Sequence, residues 1–137
     1  MKFLSAFFLV VTFLLSGCDK SEVNANQDPK QISSALKTGN WMILIMENNI
    51  VLEGADTFLK FNEAGTLVAT KDGASCNGTW TETNTTGTKT FTLNIATSDV
   101  VLKKANRAWK VSGIAEHYID LKDDNAPGNI TAQLMKH

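Results

Sequence analysis

Cys76 and His117 are the residues of this chain that could supply a nucleophile and its base, and Asp120, Asp123, Asp124 and Asn125 are those that could surround a hard cation. A cysteine nucleophile needs an imidazole to take its proton, and that imidazole in turn needs an orienting group. No Asn or Asp marks the orienting position, and cysteine signatures do not transfer between families, so catalysis is not expected. Zinc asks for three or four convergent His, Cys or carboxylate ligands, and none converge in the sequence. The oxygen cluster at 120–125 lacks the alternating spacing of a dedicated calcium loop and reads as a solvated turn. The aromatic residues remain. Trp80, Phe91 and Trp109 sit in strand-like stretches flanked by small or polar residues and are the candidates to line a ligand cavity. Trp41, heading an unbroken apolar run, is expected to plug the fold, as large aromatics do in small cores.

The second cysteine has different surroundings. Lys2 is followed by an apolar run over 3–15, interrupted only by Ser5 and Thr12, and then by Leu15-Ser16-Gly17-Cys18. A bilayer core needs about 20 apolar residues to be spanned, so the run is short for a permanent transmembrane helix. The segment resembles the signal peptide and lipobox of bacterial lipoproteins. That resemblance implies that 1–17 are removed and that Cys18 carries lipid on its sulfur and amine. It also implies residence in the cell envelope, on a membrane the sequence leaves open. Each buried CH2 of such an anchor contributes about 0.8 kcal/mol. No cofactor beyond this covalent lipid is expected. With Cys18 so used, Cys76 has no intramolecular disulfide partner and is expected to be a buried small hydrophobe.

The rest of the chain must be one domain, because 137 residues leave no room for a second core once the leader is set aside. The net charge of −1 argues against nucleic acid, whose binding leans on clustered Lys and Arg. Residues 18–29 are polar and aperiodic, which makes them a flexible tether. Pro29 after Asp28 opens a short helix, with Ile32, Ala35 and Leu36 on one face and Gly39 as its stop. Beyond it the period changes to two. Strands are expected over 41–46, 50–52, 57–61, 66–71, 75–83, 91–95, 107–112, 118–122 and 130–136, with a bend or helical turn at 100–104. Asn62 to Gly65, Asp72-Gly73 and Asn84 to Gly87 read as turns. About eight short strands joined by hairpins most readily hide their edges by closing, so 30–137 is expected to be an all-β, small antiparallel up-and-down barrel.

Particular motifs sharpen this expectation. Gly39-Asn40-Trp41 after a short helix, FLKFNEAGTL over 58–67, CNGTW over 76–80 and RAWKV over 107–111 resemble the lipocalin-like lipoproteins of Bacteroidetes. The resemblance implies a lipocalin-like barrel without enzymatic activity, binding a small apolar ligand or a partner. The alternative is a solid barrel that docks another envelope protein.

Replacing Cys18 with Ala is expected to abolish acyl labelling and leave the precursor uncleaved. Metabolic labelling with detergent phase partitioning checks this, and label persisting on Cys18→Ala would defeat it.

Overall fold

The structure, a computed structural model, describes residues 29–53, 56–123, 125–126 and 129–137. Cys18, the leader over 1–17 and the tether up to residue 28 lie outside them, as does Asp124. Helix α1 (Pro29–Leu36) begins at the proline, whose missing N–H costs nothing at a first helical position. It ends before Gly39, which takes φ +89°. Nine strands follow among the described residues: β1 (Trp41–Glu47), β2 (Ile50–Glu53), β3 (Thr57–Phe61), β4 (Thr66–Lys71), β5 (Ala74–Thr85), β6 (Thr88–Ile95), β7 (Ala108–Ile114), β8 (Tyr118–Lys122) and β9 (Ile130–Lys136). The bend expected at 100–104 is a 3-10 helix, Leu102–Ala105.

Each strand pairs antiparallel with its neighbour, and β1 pairs with β9 along its whole length, from Trp41 opposite Lys136 to Glu47 opposite Ile130. The sheet therefore closes. Eight strands, β1 and β3 to β9, make the barrel, and β2 is an extra strand beside the far half of β1. Three connections are two-residue hairpins with both central residues at positive φ: Asn48-Asn49, Asp72-Gly73 and Thr86-Gly87. Such turns match the right-handed twist of the strands they join. Gly65, at φ +73°, supplies the corresponding freedom between β3 and β4.

Alternation is strict on the core-facing positions. Trp41, Ile43 and Ile45 of β1 are buried, as are Phe91, Leu93 and Ile95 of β6. Two features depart from the sequence expectation. The hairpin of β5 and β6 is longer at its tip, because Asn84 and Thr85 on one side and Thr88 to Thr90 on the other continue the ladder. Gly113, expected to end a strand, lies inside β7 at a register shift against β8. A bulge there lets the strand bend without ending.

The barrel has two ends. At the helix end sit α1 and the tip of the β5–β6 hairpin. Ile32 and Leu36 are buried, and the Trp41 indole N–H donates to Leu36 O at 3.2 Å, fastening helix to barrel. The opposite end is closed by the 3-10 helix, with Leu102 and Ala105 buried and the Trp109 indole N–H donating to Ala105 O at 3.0 Å.

At Gly78 of β5 the facing backbone of β6 leaves no room for a side chain. A Cβ there would lie 2.6 Å from Asn94 O and 3.1 Å from Ile95 Cα, whereas one at Gly73 would meet nothing within 4 Å. Gly78→Ala is expected to destabilise by about 3 kcal/mol, since neither neighbouring backbone can yield. Gly73→Ala should cost about 1 kcal/mol, from its left-handed backbone alone. Urea unfolding of both variants checks the order; equal costs would refute the close approach.

Candidate functional site

Cys76 and His117 are held at opposite ends of the barrel. Cys76 faces inward near the 3-10 end and is half-buried, packed against the core rather than sealed inside it as expected. His117 lies in the turn between β7 and β8 at the helix end, with its side chain 72% exposed and its nearest carboxylate, Glu116, 3.8 Å away. The two cannot exchange a proton. Asp120 and Asp123 are likewise committed. Asp120 accepts from the Gln133 amide at 2.7 Å, and Asp123 accepts from Arg107 at 2.7 Å and from the Asn125 backbone N–H at 2.9 Å. Among the described residues no group of three His, Cys, Asp or Glu is placed to hold a metal ion.

The aromatic candidates are brought together. Phe91 of β6 stands directly opposite Trp109 of β7, and Trp80 of β5 lies 5.9 Å from Phe91 between ring centroids. Phe61 completes a triangle with Trp80 and Phe91, at 5.7 and 5.8 Å. These spacings are those of rings in mutual contact. All four aromatics belong to one buried core, together with Trp41. The Trp80 indole donates to Asn62 O at 3.3 Å, and the Arg107 guanidinium covers Trp109 at 5.3 Å.

Polar groups crowd both rims. At the 3-10 end the network is closed on itself. Asn106 donates to Ile95 O and accepts from Ile95 N, Lys104 pairs with Glu47 at 2.8 Å, and Arg107 binds both Lys104 O and Asp123. Lys71 pairs with Asp99 at 2.9 Å beside an open cleft of about 390 Å³ that Cys76, Ser75 and Leu102 also line. At the helix end the arrangement is different. Ser33 Oγ donates to one carboxylate oxygen of Glu82 at 2.6 Å, but the other Glu82 oxygen and the Lys89 ammonium are buried without a hydrogen-bond partner among the described residues.

Lys89 escaped the sequence reading because its strand was begun at Phe91. Extending the same period of two back to Thr88 puts Lys89 on the inward face with Phe91, Leu93 and Ile95, which was the available signal.

Asp99 also anchors the 3-10 end. The backbone N–H of Leu102, at 2.7 Å, and then the Lys71 ammonium hold its carboxyl below the ordinary 3.8. The folded state therefore binds fewer protons than the unfolded one, so this contribution is present above the unfolded value and is lost as pH falls through the lower folded one. Asp99→Asn should flatten the acid limb of a stability profile taken from about pH 5 to about pH 2 and leave its slope near neutrality unchanged. An unaltered acid limb would refute the assignment. No protein-family model matches this chain, and neither does any curated protein or solved structure.

Proposed function

We propose that this chain is a non-enzymatic lipoprotein of the bacterial cell envelope, anchored by acyl groups on Cys18. Its barrel is a solid module that meets another envelope protein through its outer wall and rims. One observation carries the reading of the barrel: Trp80, Phe91 and Trp109, the residues a ligand cavity would use, pack into a single buried core with Trp41, and both ends of that core are capped. A drug-sized ligand needs several hundred cubic ångströms, whereas a close-packed interior leaves voids hardly larger than water. Support for a partner comes from the outside. Among the described residues the exposed large hydrophobics are Ile50 and Val51 on β2, at 66% and 55%, and Val100 ahead of the 3-10 helix. Among the described residues β2 pairs only with β1, so it presents there both an unpaired strand edge and apolar side chains, the combination that strand addition uses. The anchor rests on the resemblance of residues 2–18 to a lipoprotein leader.

The carrier alternative keeps the same anchor but gives the barrel a small apolar cargo. The two diverge in one measurement. The solid barrel predicts that fatty acids, retinoid-like and haem-like compounds leave the fluorescence of variants retaining Trp80 or Trp109 alone unshifted. It also predicts that native mass spectrometry of protein taken from its own membrane shows no apolar adduct beyond the anchor. A reproducible apolar adduct would replace the solid barrel with the carrier.

A further inference from the structure

We propose that the outer wall of strands β3 to β6 binds an extended, equatorially linked oligosaccharide of uncharged sugars, along two open clefts that meet at Val68. The proposal goes beyond the solid-barrel reading. It needs no space inside the barrel, and it uses a part of the wall separate from the edge strand β2.

Three observations meet on this wall. The first is room. A cleft of about 560 Å³ is lined by Thr66 and Val68 of β4, Asn77 and Thr79 of β5 and Asn94 of β6, with Asn62 at its margin. A second cleft, of about 300 Å³, is lined by Phe58 and Lys60 of β3 and by Val68 and Thr70 of β4, so Val68 belongs to both. The second observation is order. Lys60 stands opposite Val68 and Val68 opposite Asn77, while Thr66 stands opposite Thr79 and Thr79 opposite Asn94. Paired strands lie about 4.8 Å apart, so the two rows together cross four strands in about 14 Å, the reach of a short oligosaccharide rather than of one sugar. The third is chemistry. The outward positions of β4, β5 and β6 are filled by Thr, Ser, Asn and Val alone. Among the described residues no charged side chain lines the larger cleft, and Lys60 is the only one that lines the smaller.

The complement of this wall follows from its hydrogen-bonding groups and its shape. Amides and hydroxyls both donate and accept, as sugar hydroxyls do. Asn62, Thr66, Asn77, Thr79 and Asn94 are all exposed and open to a ligand, and the Asn62 amide donates to Thr66 Oγ1 at 3.3 Å, which orients both at the cleft margin. The Phe58 ring packs against His137 at 5.2 Å and gives the smaller cleft an aromatic surface, whose electron-rich face suits the C–H face of a sugar ring. Other occupants match less of it. A nucleic acid needs clustered Lys and Arg. An apolar ligand would strip water from the amides and hydroxyls and return no hydrogen bonds. The core of a protein interface is rich in aromatics, Met and Arg, whereas this wall is mostly Thr and Asn. Shape then selects the linkage, because equatorial bonds keep successive rings in a flat ribbon that follows a sheet, while the linkage of an α-glucan coils the chain away from it.

The test titrates the full-length chain calorimetrically, in a sugar-free detergent, with cellotetraose and tetra-N-acetylchitotetraose. Maltotetraose, which is coiled by its linkage, and glucose form the control arm. Saturable binding of at least one equatorially linked tetramer is expected, at least about 10-fold tighter than either control. Asn77→Ala and Asn94→Ala should each weaken that binding by about 3- to 10-fold, the scale of one or two neutral hydrogen bonds. Phe58→Ala should weaken it by a similar factor, Phe58→Tyr should retain most of it, and Glu116→Gln, in the turn after β7, should leave it unchanged. Circular dichroism melts confirm that the variants fold. Should Phe58→Ala not fold, the two asparagine variants carry the comparison. Failure of both tetramers to bind at millimolar concentration, or equal binding of maltotetraose, overturns the proposal. So does binding that neither asparagine variant weakens, since the sugar then sits elsewhere on the molecule.

Discussion

Strand β1 is bonded on both sides, to β9 along its whole length and to β3 and β2 in succession, and the rest of the molecule depends on that double engagement. Without the β1–β9 ladder the same strands would form an open sheet with two long edges, each a template for other chains. With it, the inward residues of every strand face one another instead of solvent. Trp41 stands at the junction. Its backbone pairs with both β3 and β9, and its indole holds α1 over the barrel mouth. The most non-local pairing in the chain and the cap of one end are thus set by the same residue.

How far the sequence disclosed this depends on the range of the interaction. The strands at 57–61, 66–71, 118–122 and 130–136 are found where the alternation and turn residues put them, because period and turn chemistry are local properties. Closure was an inference from strand number and edge avoidance, since nothing in Trp41–Glu47 or Ile130–Lys136 alone names the other as its partner. Gly113 was misread for a related reason. Glycine marks both strand ends and bulges, and only the pairing with β8 distinguishes them. The long β5–β6 hairpin was cut short because its tip is made of Thr, Asn and Lys, residues that look like a loop when read without their partners.

The candidate site was less legible than the fold. Trp80, Phe91 and Trp109 were the candidates to line a ligand cavity, and the fold sets Trp80 and Trp109 on either side of Phe91. Residue type could not say whether rings that meet across strands would line a space or fill it. That depends on the summed volumes of facing side chains and hence on registers fixed only by folding. Arg107 and Asp123 had the same difficulty. Asp123 was read as part of a solvated turn and Arg107 as the start of a strand, yet together they tie the approach to β7 to the loop after β8 and place a guanidinium over Trp109.

The contrast between the two barrel ends is itself informative. At the 3-10 end the buried or half-buried cations and the carboxylates find one another, as in Lys71 with Asp99, Lys104 with Glu47 and Arg107 with Asp123. The pairs join segments far apart in sequence, so they serve to hold loops onto the barrel even where each contributes little on its own. The helix end contains the same kinds of residue on neighbouring strands, closer in sequence than any of those three pairs, and there Glu82 and Lys89 do not join. A fold able to complete its polar contacts across 57 residues in Lys104–Glu47 had an easier task between two strands of one hairpin. Had structural stability alone shaped that rim, an apolar residue at position 89 would continue the alternation of Phe91, Leu93 and Ile95 and avoid burying a charge. What Glu82 does find is Ser33 of α1, whose hydroxyl donates to one of its oxygens at 2.6 Å and so ties the helix to the tip of the β5–β6 hairpin.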